Sequence, residues 1–239
     1  MVPSRDSLKV KLFADGADLA GMIEMAAKPY ISGLTTNPTL MKKAGVTDYV
    51  KFAKDVLREI QDKPISFEVF SDDLEEMKTQ AEKIASWGKN VYVKIPISNT
   101  QGDSTQSVVK YLTDNGVKVN VTALMTNEQV AHTVEVLNPN VESCVSVFAG
   151  RIADTGRDPI PVMRKCVATL SQNEKSELIW ASPRELLNVF QANEIGCQII
   201  TATNDILKKL ELVGYDLEAY SIDTVKMFYS DAQKAGFSF

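Results

Sequence analysis

Short apolar runs rich in β-branched residues recur eight times along this chain, at 10–14, 31–34, 65–70, 91–97, 117–124, 144–149, 178–181 and 198–202. After the strands come segments whose apolar residues return with helical spacing, including 48–61, 74–87, 105–115, 128–137, 160–170, 183–193 and 205–213. This order describes βα units, because parallel strands need a crossover long enough to hold a helix. Eight such units in 239 residues match a closed (β/α)8 TIM barrel, whose typical length is about 250 residues. The rival is an open doubly wound sheet, which usually has fewer strands and a glycine-rich first turn. Neither GxGxxG nor GxxxxGK[ST] occurs here. No linker rich in Pro, Gly or Ser divides the chain, so the expectation is α/β, one barrel domain over 1–239. The 216–239 segment exceeds what eight units need. Its amphipathic stretch 217–234, with Tyr220, Val225, Phe228 and Tyr229, either caps the barrel or docks on a neighbouring subunit.

The chain is 44% hydrophobic and 24% charged, with a net charge of −5. Without a basic cluster it lacks the electrostatic footprint of a nucleic-acid binder, which leaves small molecules or copies of itself as partners. No apolar run reaches the roughly 18 residues of a membrane helix, and no signal-like h-region opens the sequence, so a cytoplasmic protein is expected. Cys144, Cys166 and Cys197 are scattered in apolar surroundings and read as reduced, buried thiols rather than bridges or metal ligands. The single histidine, His132, falls in a polar helical stretch and reads as an exposed helix position. One histidine leaves histidine-based metal sites and Ser-His-Asp chemistry short of parts. Proton transfer then falls mainly to carboxylates, lysine, tyrosine or bound water.

Lys94 is a lone cation in Val91-Tyr92-Val93-Lys94-Ile95-Pro96-Ile97, a run that otherwise reads as a strand buried on both faces. Taking an ammonium out of water is costly, so a lysine there is neutral or has a partner. Either state invites covalent chemistry, since an activated amine attacks a ketone or aldehyde to give a Schiff base. The plainer alternative is an edge-strand lysine whose stem packs while its head reaches solvent.

In barrels of this kind the active site forms at the C-terminal ends of the strands. Polar residues there are Asp15, Thr35, Thr36 and Asn37, then Glu68, Lys94, Asn120 and Thr122, then Arg151, Ser182 and Arg184. Several have local explanations. Asp15 suits a turn or helix cap, and Asn37-Pro38 suits a cap followed by proline at the first helical position. Ser182-Pro183-Arg184-Glu185 has the spacing of a capping box. Capping does not explain Glu68 and Lys94, because charges inside apolar strands need a further reason. A helix starting at 183–185 would also offer backbone N–H groups to a phosphate, with Arg151 and Arg184 adding charge-assisted hydrogen bonds. A phosphorylated substrate is therefore inferred.

These residues also carry a resemblance. Gly33-Leu34-Thr35-Thr36-Asn37-Pro38-Thr39-Leu40-Met41 resembles the second-strand signature of transaldolases, and Val91-Tyr92-Val93-Lys94-Ile95-Pro96 resembles their Schiff-base lysine segment. Leu12-Phe13-Ala14-Asp15, Phe67-Glu68-Val69, Asn120-Val121-Thr122, Phe148-Ala149-Gly150-Arg151-Ile152 and Ala181-Ser182-Pro183-Arg184 follow in the family's order. The resemblance covers nearly the whole chain. It implies transfer of a dihydroxyacetone unit from a ketose phosphate, fructose 6-phosphate or sedoheptulose 7-phosphate, to an aldose phosphate, in the pentose phosphate pathway.

In that scheme Lys94 forms the Schiff base, Asp15 takes the C4 hydroxyl proton, and Glu68 shuttles protons through a water held with Thr122. Asn120 and Ser182 hold substrate hydroxyls, with Thr35, Asn37 and Phe148 also lining the substrate site, and Arg151 and Arg184 hold the phosphate. No metal or organic cofactor is implied, and a homo-oligomer is implied by analogy with compact relatives.

Two alternatives stand beside this reading. Fructose 6-phosphate aldolases share the fold and the lysine, but that branch carries Gln and Tyr where this chain has Glu68 and Phe148. A non-catalytic sugar-phosphate-binding barrel would keep Arg151 and Arg184 but has no use for a buried lysine beside two acids. The chain departs from its relatives in being shorter than the long transaldolases and in placing Pro183 where many carry an aromatic residue. Its 98–102 loop is also one residue longer than in compact aldolase-like members.

Overall fold

All eight apolar runs form strands in the computed structural model, which describes residues 4–237. They are β1 (Lys11–Asp15), β2 (Ile31–Thr35), β3 (Ile65–Glu68), β4 (Val91–Pro96), β5 (Val119–Leu124), β6 (Ser143–Val147), β7 (Ser176–Trp180) and β8 (Ile199–Thr203). Each pairs in parallel with the next and β8 closes on β1, so the sheet is a complete barrel without edges. The fold is a (β/α)8 barrel with an additional C-terminal helix, as the strand–helix alternation implies. Met1–Pro3, Ser238 and Phe239, which the expected domain 1–239 includes, lie outside the described residues.

The outer layer comprises α1 (Leu19–Ala26), α2 (Pro38–Lys43), α3 (Tyr49–Glu59), α4 (Leu74–Ala85), α5 (Gln106–Asp114), α6 (Asn127–Val136), α7 (Ala149–Asp154), α8 (Ile160–Leu170), α9 (Leu187–Glu194) and α10 (Asn204–Lys208). Five of these ten starts follow from a capping side chain. Asp18, Asn37, Asp48 and Asp73 each accept a backbone N–H three residues on, and Thr126 forms a full capping box with Gln129. Three helices are absent from the periodicity reading. α1 contains Gly21 and buries only Met22 and Met25, while α2 and α7 are six residues each, too short for a 3.6-residue period to show. The segment 205–213 divides into α10 and a 3-10 turn over Lys209–Leu212.

The segment 183–193 needs a larger correction, because its helix begins at Leu187 and no capping box forms at Ser182. Ser182 has φ 60°, a left-handed conformation, whereas an N-cap is extended. Asn188 Oδ1 instead accepts the backbone N–H groups of Arg184 (2.8 Å) and Glu185 (3.2 Å). Those N–H groups are therefore already taken and do not form the helix-start phosphate cradle that the sequence suggested.

Apolar side chains occupy both faces of the strands, the pattern of a parallel sheet covered by helices. Leu12, Leu34, Phe67, Val93, Val121 and Trp180 join the layer beneath the helices. Phe13, Cys144, Ile179, Ala181 and Ile199 form a second cluster inside the barrel, with Tyr92 and Phe148 packed against it. Phe13 can lie there because residue 33 is glycine: a Cβ at that position would sit 2.5 Å from Cζ of the Phe13 ring. This cluster is the floor on which the polar mouth rests.

The C-terminal helix α11 (Leu217–Ala235) starts at an Asp216 cap and stops at Gly236 in the left-handed conformation. None of its residues is buried. Cys144, Cys166 and Cys197 are buried and free, and His132 is exposed on α6, as expected. Among the described residues no helix is long and apolar enough to cross a membrane.

Candidate active site

Strand register brings the candidate residues together before any side chain is considered. Asp15 lies opposite Thr35 on one side and Thr203 on the other, and Glu68, Lys94 and Asn120 are successive partners across β3, β4 and β5. Alternation then puts Ser66 with Glu68, Tyr92 with Lys94, and Asn120 with Thr122 on the inward faces.

Lys94 is 5% exposed. Its Nζ donates to the carbonyl oxygen of Thr36 at 2.8 Å and lies 3.2 Å from Glu68 Oε2. Of the two states open to a buried lysine, the structure thus shows a partnered one, and the snorkelling alternative does not hold. Glu68 is fixed from behind: the Tyr49 hydroxyl donates to its backbone carbonyl at 2.9 Å, and Tyr49 packs edge-on against Phe67, Phe70 and Trp87. Burial raises the Tyr49 pKa, which keeps its hydroxyl a donor.

Asp15 is neither a turn residue nor the cap of α1, a role taken by Asp18. Thr35 Oγ1 donates to its Oδ1 at 2.8 Å and Asn37 Nδ2 to its Oδ2 at 3.4 Å. Asn37 is also the cap of α2, its Oδ1 accepting from Leu40 N at 3.0 Å. Thr35 Oγ1 lies 2.5 Å from Thr201 Oγ1, so a threonine pair backs the carboxylate. Burial raises the Asp15 pKa above its ordinary value of 3.8, against the pull of Lys94 and the Thr35 hydrogen bond, with Glu68 adding like-charge repulsion.

Asn120 is fully buried and oriented from both sides: its Nδ2 donates to Ser66 Oγ at 3.0 Å and its Oδ1 accepts from Ser146 Oγ at 2.8 Å. Thr122 Oγ1 is buried without a hydrogen-bond partner among the described residues. It precedes Ala123, which has φ 65° where the β5–β6 ladder loses register, a bulge that re-aims the strand end.

Phe148 and Arg151 form a separate pair, with the guanidinium 5.9 Å from the ring centroid. Arg184 is engaged elsewhere, by Asp154 and by Ser182. The two arginines therefore stand at the mouth in different local contacts.

Ser66, Ser146, Thr201 and the Thr36 carbonyl escaped the reading of the sequence. The signal for Ser66 and Ser146 is positional, because each lies two residues before a singled-out residue and so shares its inward face. Serine and threonine are too common in strands to stand out without that register.

By fold and site the chain is a (β/α)8 barrel with a buried lysine set among carboxylates. The family model described as Transaldolase/Fructose-6-phosphate aldolase matches residues 12–239. A probable transaldolase of Sulfurihydrogenibium sp. is 33% identical over 202 residues, 84% of this chain and 88% of that protein. One of Thermoanaerobacter sp. is 33% identical over 228 residues, covering 95% and 99%. The chain belongs to the transaldolase/fructose-6-phosphate aldolase family and is an enzyme of this class. A crystal structure from Coccidioides immitis, of a protein assigned to the dihydrodipicolinate synthase family, superposes with a TM-score of 0.59 at 15% identity, covering 99% of this chain and 79% of that one. That likeness concerns the barrel alone.

Proposed function

We propose that this enzyme is a transaldolase that moves a dihydroxyacetone unit from fructose 6-phosphate or sedoheptulose 7-phosphate to an aldose phosphate, in the pentose phosphate pathway. One observation carries the reading: a buried lysine amine 3.2 Å from the half-buried carboxylate of Glu68, with a second half-buried carboxylate, Asp15, in the same barrel mouth. Glu68 takes a proton from Lys94, and the freed amine attacks the ketose C2 to give a carbinolamine. Glu68, working with a water held by the unpartnered Thr122 hydroxyl, protonates the departing C2 oxygen as water leaves and the iminium forms. Asp15 then removes the C4 hydroxyl proton. The C3–C4 bond breaks, its electron pair moves into the iminium to give an enamine on Lys94, and an aldose phosphate departs. An acceptor aldehyde reverses these steps.

Asn120 and Ser182 hold substrate hydroxyls in this reading, Thr35 and Asn37 orient Asp15, and Arg151 and Arg184 bind the phosphate. Phe148 offers no hydroxyl to protonate the enamine, which favours transfer over release of free dihydroxyacetone. Self-association completes the proposal, because α11 exposes Tyr220, Ile222, Val225, Phe228 and Tyr229, and a second copy of the chain is the partner we assign to that face.

Borohydride reduction in the presence of fructose 6-phosphate is expected to leave a three-carbon adduct on Lys94. Lys94→Met, which roughly preserves stem volume, should keep the fold and form no adduct. An adduct at another residue, or none in the parent protein, overturns the reading. Release of glyceraldehyde 3-phosphate should depend on erythrose 4-phosphate, and turnover indifferent to that acceptor would favour an aldolase instead.

A further inference from the structure

The loops after β6 and β7 interlock at one point. Gly150, in the first turn of α7, faces the backbone carbonyl of Ser182, and a Cβ at residue 150 would lie 1.6 Å from that oxygen. Ser182 itself is held at φ 60°, a conformation that residues with a Cβ adopt only when their surroundings enforce it. Arg184 supplies part of that enforcement: its Nη1 donates to the Ser182 carbonyl at 3.1 Å and to Ser182 Oγ at 2.9 Å. Asp154, the last residue of α7, holds Arg184 in turn. It accepts Nε on Oδ1 at 2.8 Å and Nη2 on Oδ2, the two-pronged match of carboxylate to guanidinium. These contacts engage four of the five N–H donors of the guanidinium, leaving one on Nη2.

We propose that Asp154 is a positioning residue for the anionic end of the substrate. By fixing Arg184 it keeps Ser182 turned over Gly150, so a phosphate meets a preset wall rather than a long side chain that must first be ordered. This rests on the reading of the chain as acting on sugar phosphates. Two effects of Asp154 oppose one another. Its negative charge weakens an approaching phosphate, whereas its grip on Arg184 removes side-chain entropy that binding would otherwise have to overcome. The two-pronged geometry, with Ser182 tied into the same network, favours the second effect.

The test compares the parent enzyme with Asp154→Asn and Asp154→Glu. Asp154→Asn is expected to raise KM for fructose 6-phosphate about tenfold with kcat within about twofold, and to weaken inorganic phosphate binding in calorimetry by a similar factor. Asp154→Glu, which can restore the two-pronged grip, should recover part of both. In an Arg184→Lys background, where no fork is available, Asp154→Asn should change neither. Tighter phosphate binding in Asp154→Asn would show that the charge effect dominates and would overturn the proposal, as would unchanged values or a parent enzyme that binds no phosphate. Borohydride trapping with dihydroxyacetone, which has no phosphate, should be alike in parent and variant. Phosphate binding that weakens in Asp154→Asn without any adduct on Lys94 would leave the anion wall standing and sink the aldol reading instead.

Discussion

Asp15 is a carboxyl group whose ionised form the fold disfavours. Its pKa lies above the ordinary 3.8, chiefly because burial strips water from the ionised form. The consequence for stability has a definite sign. Between 3.8 and the raised native value, the folded chain keeps a proton that the unfolded chain has lost, so stability falls as pH rises through that window. Above it the full cost remains. Asp15→Asn is therefore expected to melt higher than the parent at pH 7, by about 2–4 °C for each kcal/mol recovered in a domain of this size. The gap should close as the pH falls below 3.8. Melting curves at several pH values check this, and equal melting temperatures at pH 7 would show that the Thr35 and Asn37 hydrogen bonds and the Lys94 charge fully offset the burial. A group that is costly when ionised and backed by two threonines suits the proton-acceptor role proposed for it. Glu68 and Lys94 were legible in the sequence because a charge within an apolar strand is a local anomaly, whereas Asp15 at a strand end also suited a turn or cap and stood out through the motif it shares with transaldolases. Thr201 was not, because its part appears only when β8 closes against β1 and its hydroxyl meets Thr35.

At the scale of elements, the barrel floor decides how well the mouth is supported. Gly33 on β2 admits the Phe13 ring from β1, and Cys144, Ile179 and Ile199 enclose the same cluster, so the ring has little room to retreat. Gly33→Ala is expected to cost about 1–3 kcal/mol, the usual range for overpacking a filled core. Pairing it with Phe13→Leu should recover much of the loss, because the two changes act on one contact and are not additive. Urea titrations of the two single variants and the double variant check this, and independent, additive losses would show that the glycine is not there to admit the ring. The strands were legible from composition because buried parallel strands are nearly continuous apolar runs. The start of α9 was misleading. Ser182 to Glu185 carries a sound local capping signature, yet the carbonyl of Ser182 packs against Gly150 and Asn188 captures the next amides, so a contact between loops overrides the local signal. Gly150 and Ser182 lie 32 positions apart, which no window along one sequence spans.

Across the whole molecule the two ends of the barrel differ in kind. The C-terminal end carries Lys94, Glu68 and Asp15, while the opposite end carries exposed pairs such as Lys11–Glu177 (2.7 Å) and Lys118–Glu142 (2.7 Å), each worth little to stability in water. Neither end accounts for α11. Its 19 residues extend about 28 Å at 1.5 Å per residue. Leu217 is 81% exposed, Phe228 63% and Tyr229 68%. A helix of this length without tertiary packing is marginal in water, because most helical stability comes from burying an apolar face. Asp216 at its start and Gly236 at its end define where it begins and stops but do not bury that face. If a second copy covers it, sedimentation at micromolar concentration should give a mass above the 26.3 kDa of one chain. Phe228→Ser with Tyr229→Ser should shift that mass toward a single chain and lower the ellipticity at 222 nm. The barrel should stay folded, since neither side chain belongs to either buried cluster. A parent protein that sediments as one chain with α11 fully helical would show that the face is stable without a copy of itself.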